Sequence, residues 1–418
     1  MNILLKAAKI IDSSSPFHQQ KKDILIKDGQ IIKIAESITN TVDDTREIQL
    51  KNLHVSCGWV DSSVSFGEPG FEEREHIENG LKTAAKSGFT EVLVNPNTQP
   101  AADNKSAIEF IKNKSEHAVC KLHPIGNLTK NGESKDVAEL FDMKNSGAIA
   151  FGDYKTSISN ANLLKIALQY AQNFDGLVLS FPNDQSIAGT GLVNEDVNST
   201  KLGLSGIAPL AEEMQIARDL FLLTYTGGKL HIPTISTSNA VKLIKEAKKK
   251  GLEVSCSVSA HHLTLTDDEL RGFDANTKVL PPLRTKRDNK ALIKGLSDGT
   301  IDMITSDHDP IDVEHKKVEY QNAMFGTIGL ESLFGALSKV IDLEILIKKL
   351  TQGPRDVFGL TPVSICENQT ANLTLFNPDR PYEFTNEHIH STSKNSIFLG
   401  KHLNGEVYGT IFGKRTTL

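Results

Sequence analysis

The chain has 418 residues, 39% of them hydrophobic and 23% charged, with a formal net charge of −6. That length suffices for a large core, the acidic balance excludes a general nucleic-acid or anionic-membrane binder, and no apolar run is long enough to cross a bilayer. Cys57, Cys120, Cys256 and Cys366 lie far apart with no Cys-x-x-Cys pair, and residues 1–11 are broken by Lys6 and Lys9 without a signal-peptide pattern, so the expectation is a cytoplasmic protein with reduced thiols.

In chain order, the first 49 residues read as short alternating strands (3–8, 23–26 and 30–34) with a turn at Lys27-Asp28-Gly29. Eight apolar, β-branched runs follow, at 53–60, 91–95, 121–126, 148–151, 176–181, 230–235, 253–258 and 302–305. Helical patterns separate most of them: 74–87, closed by Gly88; 163–172; 212–223, stopped by Gly227-Gly228; and 239–250, with a basic last turn before Gly251. The stretch 184–203 reads as a long polar loop. Short strands return at 373–376 and 406–411. This rhythm predicts an α/β protein, a (β/α)8 TIM barrel over residues 53–365. Neither end holds enough apolar residues for its own core, so 1–52 and 366–418 are expected to combine into one small β-sandwich domain. A doubly wound open sheet is the rival, but no Gly-rich phosphate turn follows the first run.

In such barrels the chemistry sits at the C-terminal strand ends. Here those ends supply Asp61, Ser63 and Ser65, then Asn95 and Asn97, Asp153, Ser180, Thr234, His261-His262 and Asp307-His308. A two-metal hydrolytic centre needs imidazoles and a bridging carboxylate. This rim offers mostly hydroxyls and amides, which are weak zinc ligands.

Gly58-Trp59-Val60-Asp61 and Glu68-Pro69-Gly70 frame the end of the first run, and Asn95-Pro96-Asn97-Thr98-Gln99-Pro100, His261-His262-Leu263, Lys278-Val279-Leu280-Pro281-Pro282-Leu283-Arg284 and Thr305-Ser306-Asp307-His308-Asp309-Pro310 follow in order. This ordered series resembles the motifs of the dihydroorotases of the cyclic amidohydrolase superfamily, a family of metal-dependent hydrolase barrels. The resemblance implies the reversible closure of carbamoyl aspartate to dihydroorotate. It also implies that four metal histidines are replaced, by Ser63, Ser65, Ser180 and Thr234. Asp153 falls at a bridging-aspartate position and Asp307 at that of the metal-bound general base. Asn97 survives as a substrate contact, whereas the substrate-gripping arginine is Gly67, its helper asparagine Leu280, and a further histidine Ile311.

The remaining histidines have structural readings. His231 lies three residues before Thr234, so strand alternation turns it to the opposite side, into the barrel wall. His261, His262 and His308 match family positions outside the metal shell or beside a complete one. Lys155, two residues past Asp153, reads as structural rather than as a bridging ligand. The expectation is a noncatalytic dihydroorotase homologue with no cofactor and vestigial Asp153, Asp307 and Asn97. The resemblance implies a homodimer and a structural or regulatory role beside aspartate carbamoyltransferase in pyrimidine synthesis. Two alternatives stay open: an active zinc-dependent dihydroorotase with an altered metal site, and a small-molecule binding protein using the vacated mouth.

Overall fold

The protein is described by a computed structural model covering residues 2–39 and 44–418. Residue 1 and residues 40–43 of the expected N-terminal segment lie outside the described residues.

The N-terminal strands are β1 (Asn2–Ile10), β2 (Lys21–Lys27), β3 (Gln30–Ala35), β4 (Thr45–Ile48) and β5 (His54–Cys57). Then come β6 (Trp59–Val64), β7 (Phe89–Val94), β8 (Lys121–Gly126), β9 (Ala150–Phe151), β10 (Leu177–Leu179), a small ribbon of β11 (Val193–Asn194) and β12 (Gly206–Ile207), β13 (Lys229–Ile232), β14 (Val254–Ser259) and β15 (Met303–Thr305). The chain ends with β16 (Asn372–Glu383), β17 (His402–Phe412) and β18 (Arg415–Thr416). Strands β6 to β10 and β13 to β15 pair in parallel, in sequence order. Every residue of β6 and β7 is buried, as expected of parallel strands covered on both faces.

The first and last barrel strands meet through side chains as well as backbone. The Ser65 N–H donates to the His308 carbonyl at 2.7 Å. The buried Asp61 carboxylate accepts from the Ser306 N–H at 2.9 Å and from the Thr305 hydroxyl. Inside, Val60, Leu93, Ile125, Leu177, Met303 and Phe358 plug the lower barrel. Outside lie α1 (Ile77–Lys86), α2 (Lys105–Ser115), α3 (Leu140–Ser146), α4 (Ala161–Ala171), the short α5 (Gln185–Ala188) and α6 (Val197–Leu202), α7 (Pro209–Thr226), α8 (Ser238–Lys249), α9 (Ala260–Thr264) and α10 (Lys286–Ser297). Among the described residues no helix is long and apolar enough to cross a membrane.

The terminal strands form one mixed sheet in the order β18-β17-β16-β5-β1-β2-β3, with β4 beside β1. Residues from both ends, such as Ile10, Ile24, Leu373 and Ile411, share its core. The run expected as barrel strand one divides here: β5 belongs to this sheet and β6 to the barrel. Gly58 sits at the change-over, where a Cβ would meet Asn372 Oδ1 at 2.0 Å and Thr90 Oγ1 at 2.1 Å. Trp59, just after it, packs on Phe89, Phe334 and Phe376 at ring separations of 5.9, 4.9 and 5.6 Å and so joins the two bodies.

Candidate active site

Three strand-end residues have left-handed backbone: Lys155 (φ 52°), Thr234 (φ 49°) and Asp307 (φ 49°). Such geometry is unfavourable for a β-branched threonine and clusters at functional sites. It aims these side chains across the barrel mouth.

Ser63, Asp153, Lys155, His231 and Thr234 line one cavity there. Asn95 Nδ2 donates to Ser63 Oγ at 3.1 Å and to Ser65 Oγ at 3.3 Å, which draws Ser65 into the group. Ser63 Oγ approaches Asp307 Oδ1 at 3.4 Å. The Asp153 carboxylate is saturated from its own side. Its Oδ1 accepts from Asn127 Nδ2 at 3.3 Å and from the Leu128 and Thr129 N–H groups at 3.0 and 3.1 Å, and its Oδ2 accepts the Thr129 hydroxyl at 2.5 Å. Ser180 turns away: its hydroxyl donates at 2.6 Å to Asp219 on α7. Asn97 borders a neighbouring cavity of about 370 Å³ shared with Asp153 and Tyr154, and its Oδ1 is buried without a partner.

The centre of the mouth is taken by Lys155. Its ammonium lies 3.1 Å from Asp307 Oδ2 and 3.1 Å from Asp309 Oδ2, and 4.9 Å from the centre of the Tyr154 ring. Burial works against this charge, but Asp307, Tyr154 and Asp309 outweigh it and hold the lysine well above its ordinary value. For Asp307 burial dominates and lifts the carboxyl to about 6, although Lys155 pulls the other way. The structural reading of Lys155 missed this central position. Its signal was being the one basic residue in the short stretch after strand four. Asp309, its second partner, carried no signal in the sequence beyond the family segment.

The pocket between these side chains is about 30 Å³, room for one or two waters, and the neighbouring cavity of about 370 Å³ adjoins it at Asp153 and Tyr154. The position of the family's gripping arginine is also closed, because a Cβ on Gly67 would meet the Phe71 carbonyl oxygen at 1.8 Å. Among the described residues no three His, Cys, Asp or Glu side chains group so as to hold a metal ion.

The histidines are fixed by local partners. His231 does not point away from Thr234, because β13 ends at Ile232 and Thr234 has already left extended geometry, so both face one cavity. Its ring bonds Ser255 Oγ at 2.8 Å and Ser257 Oγ at 3.3 Å, and burial lowers its pKa to about 3. His308 Nδ1 accepts from the Gly329 and Leu330 N–H groups at 3.2 and 3.4 Å, which places its proton on Nε2. His262 bonds Ser259 Oγ at 2.6 Å and the Pro281 carbonyl at 3.1 Å.

Among solved structures, the fold matches an L-hydantoinase (dihydropyrimidinase) from Arthrobacter aurescens with a TM-score of 0.86, at 21% identity over 99% of this chain and 95% of that one. A D-hydantoinase from Thermus sp. matches at 0.82, with 18% identity over 100% and 95% of the two chains. The architecture is thus the fold of these hydantoinases, a parallel barrel with its accompanying terminal sheet. Sequence narrows the class. The Dihydro-orotase-like family profile matches residues 53–240. The dihydroorotase of Syntrophus aciditrophicus is 36% identical over 417 residues, 98% of each chain. That of Pelotomaculum thermopropionicum is 37% identical over 424 residues, 100% of this chain and 99% of the relative. The chain belongs to the dihydroorotase family.

Proposed function

We propose that this chain is a noncatalytic dihydroorotase-family protein of pyrimidine biosynthesis, a structural or regulatory partner of aspartate carbamoyltransferase. The observation that carries the first half is Lys155: a covalently attached cation neutralises Asp307 at the centre of the mouth. The hydroxyls at 63, 65, 180 and 234, two of which bond Asn95 and one Asp219, do not fit the donor set of a zinc pair. Without a bound cation to acidify water, Asp307 has no hydroxide to deliver.

Metal analysis and a dihydroorotate ring-opening assay, with and without added zinc, test this reading. The expected result is far less than one zinc per chain and no turnover above the uncatalysed rate. Light scattering of a mixture with aspartate carbamoyltransferase tests the second half, and separate elution of the two at micromolar concentration rejects it.

A second reading, an active dihydroorotase with a displaced or single metal, draws support from the retained Asp153 and Asp307 and from the full-length similarity to proteins bearing that name. Turnover that disappears in Asp307→Asn would establish it and overturn the first.

A further inference from the structure

The cavity of about 370 Å³ beside the mouth is walled by the loops that follow β7, β8 and β9. Hydrogen bonds pin these loops. The Asn127 N–H donates to the Ala102 carbonyl at 2.8 Å, the Asn131 N–H to Asp103 Oδ2 at 2.9 Å and the Thr156 N–H to the Asp153 carbonyl at 2.8 Å. Asn127 is 5% exposed, and its amide is fixed in one orientation because Nδ2 is committed to Asp153 Oδ1. Its Oδ1 is therefore left buried without a donor, as is that of Asn97. Buried polar atoms are ordinarily satisfied, and two orphan acceptors on one cavity call for a donor from outside the chain. Three further lining side chains, Gln99, Asn131 and Thr156, have no hydrogen-bond partner among the described residues.

We infer that this cavity binds a neutral polyhydroxylated molecule of monosaccharide size. Charge excludes both extremes. Among the described residues no Lys, Arg or His lines the cavity, so a carboxylate or phosphate finds no counter-charge there. Of its two carboxylates, Asp153 is already filled by four donors, and Glu133 is paired with Lys135 at 2.9 Å, so a cation gains little. What is unspent is a set of amides and one hydroxyl, in which Asn97, Gln99, Asn131 and Thr156 each offer a donor and an acceptor together. A sugar hydroxyl also gives and accepts at once, and two neighbouring hydroxyls can span the oxygen and nitrogen of one amide. Ligand cavities are mostly lined by apolar side chains. Here Pro96, Ala101 and the Tyr154 ring are the apolar part, which suits a molecule with little apolar surface. The volume lies at the lower end of the range for small-molecule sites. Asn97 is the one residue shared with the substrate contacts that the family resemblance implies, and the inference does not depend on whether the mouth is silent.

Isothermal titration of the full chain with D-ribose, D-glucose and D-sorbitol tests it. At least one should bind, at one site per chain, with a Kd of about 1 mM or tighter. Asn131→Gly suits the left-handed φ of 54° and removes the amide. This variant and Gln99→Ala should each weaken the complex by about five-fold or more, with an unchanged far-ultraviolet circular dichroism spectrum. Tyr225→Ser, 77% exposed at the end of α7, should leave the affinity unaltered. Absence of binding by all three polyols at tens of millimolar overturns the inference. So does a complex indifferent to both loop variants. Binding of hydantoin or dihydroorotate, with none of the three polyols, assigns the cavity to a cyclic ureide and equally overturns it. None of these results bears on the metal analysis or the ring-opening assay, so the two readings fail separately.

Discussion

Lys155 stands between two carboxylates that would otherwise be buried and unpaired. Replacing it by methionine should destabilise the protein by about 3–5 kcal/mol, read by urea denaturation. Adding Asp307→Asn should recover much of that loss, because the neutral amide needs no counter-charge; additive effects in the double-mutant cycle would show that the two groups are not coupled. A second buried pair sets the acid limit. Glu91 accepts from Arg355 at 2.6 Å and bonds His123 at 2.7 Å. Burial would lift its carboxyl, but His123 and Arg355 overcome that and bring it from 4.5 to about 2. A lowered folded-state value means stability present above pH 4.5 and lost as pH falls towards 2. The share is on the order of 3 kcal/mol. Glu91→Gln should therefore flatten the acid limb of a stability–pH curve while lowering its neutral plateau. An acid limb of unchanged steepness would assign the loss to other carboxylates.

Strand boundaries hold a different lesson. The run through residues 53–60 is uniformly apolar, and apolarity alone does not say which sheet a strand joins. The division at Gly58 is imposed by neighbours distant in sequence, Thr90 and Asn372, which leave no space for a side chain. Gly58→Ala should cost about 1–3 kcal/mol through overpacking, measured as a lowered unfolding midpoint; a neutral result would mean that the change-over tolerates a shift of β16. The helices were readable because each buries one face. Residues 74–87, 163–172, 212–223 and 239–250 overlap the observed α1, α4, α7 and α8 closely. The alternation argument at His231 failed because period two holds only while the strand lasts, and β13 stops two residues before Thr234. The motifs alone set hydroxyls at 63, 65, 180 and 234, where the resemblance implies histidines. The refilling of the mouth was not legible, since it depends on a left-handed turn at Lys155 that composition does not announce.

At the scale of the whole molecule, barrel and terminal sheet share the seam around Trp59, the chain's one tryptophan. If they unfold as a unit, tryptophan fluorescence and far-ultraviolet circular dichroism should report the same denaturant midpoint. Phe376→Ala, which removes a ring from the seam, should lower both midpoints together, by about 3–5 kcal/mol in stability. An early fluorescence transition followed by loss of helix would reveal two independent bodies. The ammonium at the barrel's axis has a consequence of another kind. On the metal-free reading proposed above, the positive charge beside Asp307 and Asp309 is built in at the ribosome. Starvation for trace elements, or an excess of EDTA, should then leave the melting curve of this protein where it was.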